Sequence, residues 1–228
     1  MRNLLLIIIF ISITILLFLA MQRLYRRYPK AFLHPVLTST TIIIVLLLIF
    51  GISYDSYMLG GEWIEKLLGP CVVALAYPLY NQRKIVMKHW ATILLSVSAG
   101  LATAMVSIVL LGKLFKVENE IIYSVLPKSI TTPVAIQVSA TIGGIPSLTA
   151  TFVMIAGFSG VIVGPIVMKY AHINSLLGKG LALGSASHAL GVAKSSEYGE
   201  FSLSMASVSM TLSAIIGSIV GPLIVLML

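Results

Sequence analysis

The chain has 228 residues, of which 58% are hydrophobic and 10% charged, with a mean hydropathy of +1.05 and a formal net charge of +8. Soluble domains carry about 25% charged residues, so this composition excludes one and points to an all-α polytopic membrane protein forming a single integral membrane domain over 1–228. The single cysteine, Cys71, leaves neither a disulfide framework nor a metal cluster, and basic residues concentrated in short loops argue for membrane orientation rather than nucleic-acid binding.

A helical crossing takes roughly 20 apolar residues. Such runs fall near 3–20, 35–51, 67–81, 91–112, 147–168, 176–195 and 203–227, which predicts about seven spans. The first is read as a retained span rather than a signal peptide, because no small-residue cleavage site follows it and Arg23, Arg26 and Arg27 come directly after. Two runs are weak. Pro70 and Pro78 punctuate LGPCVVALAYPLY, and Gly178, Gly180, Gly184 and Gly191 punctuate LLGKGLALGSASHALGVAK; both read as helices bent or unwound part-way.

The loop charges sort by side. Arg23, Arg26, Arg27 and Lys30, then Arg83, Lys84 and Lys88, then Lys169 and Lys179 place the loops 21–33, 82–90 and 168–180 in the cytoplasm. All seven acidic residues lie elsewhere, at Asp55, Glu62, Glu65, Glu118, Glu120, Glu197 and Glu200. Between Glu120 outside and Lys169 inside, three crossings would leave about 16 residues each, below the usual minimum of about 17. The 147–168 run then supplies the one crossing, and residues 121–146 enter and return on the same side as a re-entrant hairpin. A spanning 121–138 helix is the alternative if Lys169 and Lys179 face outward.

Spans beginning near 35, 67 and 91 recur near 147, 176 and 203, half a chain later. With three spans per repeat the halves 1–114 and 115–228 run in opposite directions, an inverted repeat of the kind whose interrupted helices meet near the midplane of transporters. Regular span spacing in any helical membrane protein is the plainer explanation, and no residue-level match joins the halves.

Two constellations carry chemistry. In SVLPKSITTPVAIQVSATIGGIP, Ser124 to Pro146, the breakers Pro127, Pro133, Gly143, Gly144 and Pro146 surround Lys128, Ser129, Thr131 and Thr132. Non-helical backbone at membrane depth is tolerated only where protein buries it or where it lines a watery cavity. Pro133 is expected to hold Thr132 out of the helical region. An ammonium there costs on the order of 2.5–3.5 kcal/mol and calls for a partner or a cavity; with no acid in the apolar regions, that partner is an anion. Snorkelling of Lys128 to a headgroup is the competing reading. The second constellation is Gly184-Ser185-Ala186-Ser187-His188-Ala189-Leu190-Gly191, where His188 either binds a carboxylate or carries a proton, or simply bonds a neighbouring helix. Lys194 and Glu197 stand at helical i,i+3 spacing. Tyr77 is a wall of the site or an interfacial anchor, and Gly157, Gly160 and Gly164 form a close-packing face. No HExxH, GxxxxGK[ST] or GxSxG occurs, so no catalytic residue, metal or cofactor is expected.

LPKSITTPVAIQVSATIGGIPSLTA, GLALGSASHALGVAKSSEYGE and LGPCVVALAYPLY resemble the LrgB/CidB family of bacterial membrane proteins, whose plant relative is a plastid glycolate/glycerate transporter. The resemblance covers nearly the whole chain. It implies an antiholin-like role in control of murein hydrolase activity and cell lysis, transport of small monocarboxylates such as pyruvate, lactate or glycolate, and a small LrgA/CidA-like membrane partner. Similarity to the cation/proton antiporter and bile-acid symporter superfamily implies discontinuous crossing helices, expected at 67–81 and 176–195, and a homo-oligomer is the expected assembly. The family motif supports Lys128, Ser129, Thr131, Thr132, Ser187 and His188 as substrate-binding candidates. Many relatives carry another small residue at Cys71 or Ser185, so neither takes a specific contact by resemblance. The competing function is a holin-type modulator that acts through that partner without a solute of its own.

Overall fold

The computed structural model describes residues 2–28, 33–74 and 76–226. Lys30 of the first basic loop lies outside the described residues, as do the side chains of Cys71 and Pro78. Every regular element among the described residues is helical. They fall into two compact units, up to Pro70 and from Cys71 onward.

The first unit holds α1 (Arg2–Arg27), α2 (Pro35–Ile49) and α3 (Tyr54–Glu65). Helix α3 stands where a loop is expected. Ser53 caps it, its Oγ accepting from the Ser56 N–H at 3.3 Å, and Asp55 lies in the first turn, where a negative charge complements the helix dipole. Gly60 lets α3 close on α1, since a Cβ there would meet Phe10 Cβ at 2.8 Å and the Ile7 carbonyl at 2.9 Å. Thr14 and Tyr57 share a hydroxyl hydrogen bond of 2.9 Å across the same contact. The groove of about 650 Å³ between these three helices is lined by apolar side chains with Thr14, Ser39, Thr40, Tyr54 and Tyr57 among them.

The second unit continues from the end of α4 (Leu68–Ala74) through α5 (Ala76–Asn81), α6 (Arg83–Lys88) and α7 (Trp90–Leu114). Then come α8 (Asn119–Val125), a 3-10 turn (Leu126–Ser129), α9 (Thr132–Ile142), α10 (Pro146–Tyr170), α11 (Leu176–Ser195) and α12 (Glu200–Leu226). Among the described residues, four helices are long and apolar enough to cross a membrane: Leu4–Arg27, Trp90–Leu114, Pro146–Tyr170 and Glu200–Leu226. The other three expected spans take different forms. Helix α2 has 15 residues, about 22 Å of rise; the described residues of the 67–81 run are helical at Leu68–Ala74 and Ala76–Asn81; and α11 turns sharply inside its length. Pro70 and Pro78 both lie within helical segments.

Helix α12 is the axis of this unit. Of its most apolar stretch 44% is buried, against 22% for α7 and 17% for α10, and small residues make that enclosure geometrically feasible. Against α11, a Cβ on Gly180 would meet the Ser202 carbonyl at 2.5 Å, and one on Gly184 would strike the Ala206 backbone. Against the hairpin, Gly217 admits Ile130. Leu101, Met105, Ile122, Leu126, Ile130, Val138, Val153 and Ala214 close the core around it.

Residues 121–146 form no continuous helix. The segment doubles back so that its two ends touch: Ser124 Oγ accepts from the Ile145 N–H at 2.7 Å, and Thr149 Oγ1 lies 2.8 Å from the Ser124 carbonyl and 2.6 Å from Ser139 Oγ. Gly143 ends α9 in the left-handed conformation at φ 84°, and Pro146 opens α10 at a position where a missing N–H costs nothing. Gly144 is required by space, because a Cβ would sit 2.5 Å from Ser139 Oγ and 2.8 Å from the Ser124 nitrogen. Thr149 is fully buried, so Thr149→Val, which strands its partners, is expected to cost about 1–3 kcal/mol. Gly100→Ala, at a position with nothing within 4 Å, is expected not to destabilise; thermal unfolding in detergent of both variants checks the pair.

Candidate functional site

Two breaks meet in the second unit. At the hairpin tip the 3-10 turn Leu126–Ser129 gives way to extended backbone at Ile130 (φ −127°, ψ 167°) and Thr131 (φ −61°, ψ 143°). The departure from helix falls at Ile130–Thr131 and not at Thr132, which starts α9. Pro133 occupies the first turn of that helix, where its missing N–H removes no helical bond. The second break is at His188, whose φ of 50° and ψ of −129° interrupt α11, a conformation that costs a non-glycine residue about 1–3 kcal/mol. Gly184 and Gly191 flank this break rather than form it. Gly191 admits the Leu183 carbonyl and Gly184 admits Ala206 of α12.

The breaks touch through polar groups. The His188 imidazole hydrogen-bonds to the Ser129 backbone and lies within the field of Lys128. Its Nε2 has no partner, and an imidazole nitrogen donates or accepts according to its protonation. Ser129, Thr131, Ser187 and His188 are all buried, yet Thr131 Oγ1 and Ser187 Oγ also lack hydrogen-bond partners. Buried polar atoms are satisfied in the great majority of cases, so three unpartnered atoms on adjoining segments are an exception concentrated at this junction.

Lys128 is partly buried at this junction. Among the described residues the ion pairs are Lys66–Glu62 at 3.2 Å and Lys194–Glu197 at 2.7 Å, and neither includes Lys128. The Lys194–Glu197 pair is the i,i+3 contact expected from the spacing. No group of three or more His, Cys, Asp or Glu among the described residues is arranged to hold a metal ion.

The remaining sequence-derived residues divide. Thr132 lies half-buried in the first turn of α9. Ser185 is half-buried, and its hydroxyl is engaged by the Leu181 carbonyl at 2.8 Å. Tyr77 stands on α5, 69% exposed, in contrast to the buried hydroxyls at the junction. The Gly157, Gly160 and Gly164 face of α10 packs on the α11 break: a Cβ at Gly157 would lie 3.0 Å from Leu190 Cδ1, one at Gly164 3.4 Å from Leu183 Cδ2, and one at Gly160 would strike Ser187 Oγ.

The two sequence constellations include no residue of α12. Ser202, Ser209 and Ser213 are buried there; Ser209 Oγ donates to the Leu181 carbonyl at 2.8 Å, whereas Ser202 and Ser213 have no partner. Their spacing of seven and four, with Ala206 between, puts them on one helical face. That period was the available signal.

This geometry defines an all-helical membrane protein whose interrupted segments bring a cation, an imidazole and hydroxyls together in its interior. The chain belongs to the LrgB-like family, whose model matches residues 14–227. It is 56% identical over 218 residues to YxaC of Bacillus subtilis (strain 168), covering 96% of this chain and 95% of that protein. It is 38% identical over 220 residues to the holin-like protein CidB of Staphylococcus aureus (strain N315), covering 96% of each. YwbG of Bacillus subtilis (strain 168) is 35% identical over 215 residues, covering 94% of this chain and 96% of that protein. No solved structure matches.

Gly160→Ala is expected to displace Ser187 and cost about 1–3 kcal/mol, the usual penalty of overpacking. Ser187→Ala is expected to cost no stability, because its hydroxyl has no bond to lose. Melting curves of the two purified variants check both expectations.

Proposed function

We propose that the protein is a secondary carrier for small monocarboxylates of the pyruvate, lactate and glycolate class, with both units acting as one integral membrane domain. The observation that carries this reading is Lys128, a partly buried cation without a carboxylate partner, beside unpartnered Thr131, Ser187 and His188. A monocarboxylate supplies what this junction lacks. Its charge offsets the ammonium, its oxygens accept from Thr131 and Ser187 hydroxyls, and a substrate hydroxyl or a proton can use His188 Nε2. Because the breaks sit in segments that double back or kink, a small rearrangement of either exposes the solute to one side at a time. The inverted repeat and the re-entrant insertion of 121–146 belong to this reading.

Uptake of labelled pyruvate, lactate or glycolate into proteoliposomes tests it. Wild-type protein is expected to accumulate at least one of them, and Lys128→Ala and His188→Ala to reduce the initial rate by about tenfold or more, as loss of a charge-assisted bond of about 1.5–3 kcal/mol predicts. Unchanged uptake in both variants would remove the assigned roles.

The membrane orientation has its own check. In a Cys71→Ser background, single cysteines at Tyr28, Lys84 and His172 are expected to react from the cytoplasmic side, and one at Glu118 from the outside. The reverse pattern at His172 alone would replace the hairpin with an additional crossing.

A second reading is favoured by the relative named holin-like protein CidB. Here the chain modulates membrane permeability and murein hydrolase control together with a small LrgA/CidA-like partner, and its glycine-rich helix faces supply the contacts. Dye leakage on co-expression that is indifferent to Lys128→Ala and to added carboxylate would favour it over the carrier.

A further inference from the structure

We propose that Ser213 of α12 is a specificity-determining residue of the carboxylate site, reading the oxygen on carbon 2 of the substrate and so separating 2-hydroxy and 2-oxo acids from unsubstituted short-chain acids. This inference rests on the carrier reading and extends it to a helix that neither motif includes.

The position of Ser213 follows from contacts on either side of it. Ala206 meets Gly184, four residues before the His188 break, and Gly217 meets Ile130, at the hairpin break. Ser213 lies seven residues beyond Ala206 and four before Gly217, on the same face of α12. At about 1.5 Å per residue it stands roughly 10 Å along the helix from the first contact and roughly 6 Å from the second. It therefore looks onto the junction between the two breaks, with Thr131 adjoining Ile130 on one side and His188 on the other.

Its chemistry fits that place. Ser213 is 1% exposed and its Oγ has no hydrogen-bond partner. Most neighbouring α12 hydroxyls are engaged within the protein: Ser209 to the Leu181 carbonyl, Ser207 to Leu203 and Thr211 to the Ser207 carbonyl. A serine facing the hairpin tip with nothing to bond is an isolated donor and acceptor. Lys128 can neutralise a carboxylate whatever else the acid carries. A hydroxyl on the opposite wall is positioned for the next atom along, and a site that hydrogen-bonds a substrate oxygen rejects the analogue lacking it because the site's own polar group is then left unpaired.

Lactate and propionate share a three-carbon skeleton and differ by the 2-hydroxyl, so the experiment compares their uptake in proteoliposomes for wild type and Ser213→Ala. Wild type is expected to prefer lactate. Ser213→Ala is expected to lower that preference about three- to tenfold, one hydrogen bond's worth, by slowing lactate without slowing propionate. Its thermal midpoint in detergent should not fall, since the hydroxyl has no bond inside the protein. Equal loss for both acids together with a lowered midpoint would show a structural serine and overturn the assignment, as would an unaltered preference. A wild type that moves lactate and propionate equally overturns the Ser213 assignment alone. A wild type that moves none of the carboxylates overturns the carrier reading and this inference with it.

Discussion

The closure of the hairpin by Ser124, Ser139 and Thr149 is the interaction on which the rest of the second unit depends. A chain that stops being helical in an apolar surrounding exposes amides and carbonyls that nothing outside can satisfy. Here the returning strand is pinned by the Ile145 N–H on Ser124 Oγ, while Thr149 bridges to the Ser124 carbonyl and Ser139. With the base fixed, the tip at Leu126–Thr131 is held against α12, where Ile130 packs on Gly217. Lys128 is then carried inward by backbone geometry rather than by a preference of its own.

The second constraint is electrostatic. A partly buried ammonium without a carboxylate is costly, as is an unpartnered imidazole nitrogen, and a strained φ at His188 adds to both. Costs of this kind gather where a ligand is bound, since the surrounding structure over-determines the geometry and the ligand completes it. The bond from His188 to the Ser129 backbone ties the strained residue to the hairpin tip, so the two breaks hold one another in place.

Small residues make the meeting sterically feasible. Gly180 and Gly184 bring α11 onto α12, Gly217 admits Ile130, and Gly160 brings α10 against Ser187. Each contact leaves no room for a Cβ, so the two breaks are clamped between α10 and α12 by backbone approach. Membrane helices lack a strong hydrophobic drive to associate and depend on such close packing. The serines of α12 extend the same logic, because a hydroxyl occupies little more room than a methyl group and retains a donor and an acceptor.

The sequence by itself determined the membrane class, the long helices and the two interrupted stretches, because hydropathy, charge sorting and the positions of Pro and Gly are local properties that one chain displays openly. It also singled out Lys128 and His188, since ionisable residues in apolar runs are expensive and therefore visible. What it left open is where the interruptions fall and what they meet. The break is at His188 itself, between the glycines that drew attention, and the other begins at Ile130, before the Thr132 that Pro133 singled out. The 12-residue α3 replaced a loop, because its cap and its Gly60 contact with α1 outweigh weak hydrophobicity. Ser213 went unnoticed because a serine in an apolar helix is cheap when bonded to its own backbone, and only tertiary packing reveals that this one is not. Tertiary structure alone brought Lys128, Ser129 and His188 to one junction, since that depends on which helix faces touch, a relation between distant segments that no local pattern encodes.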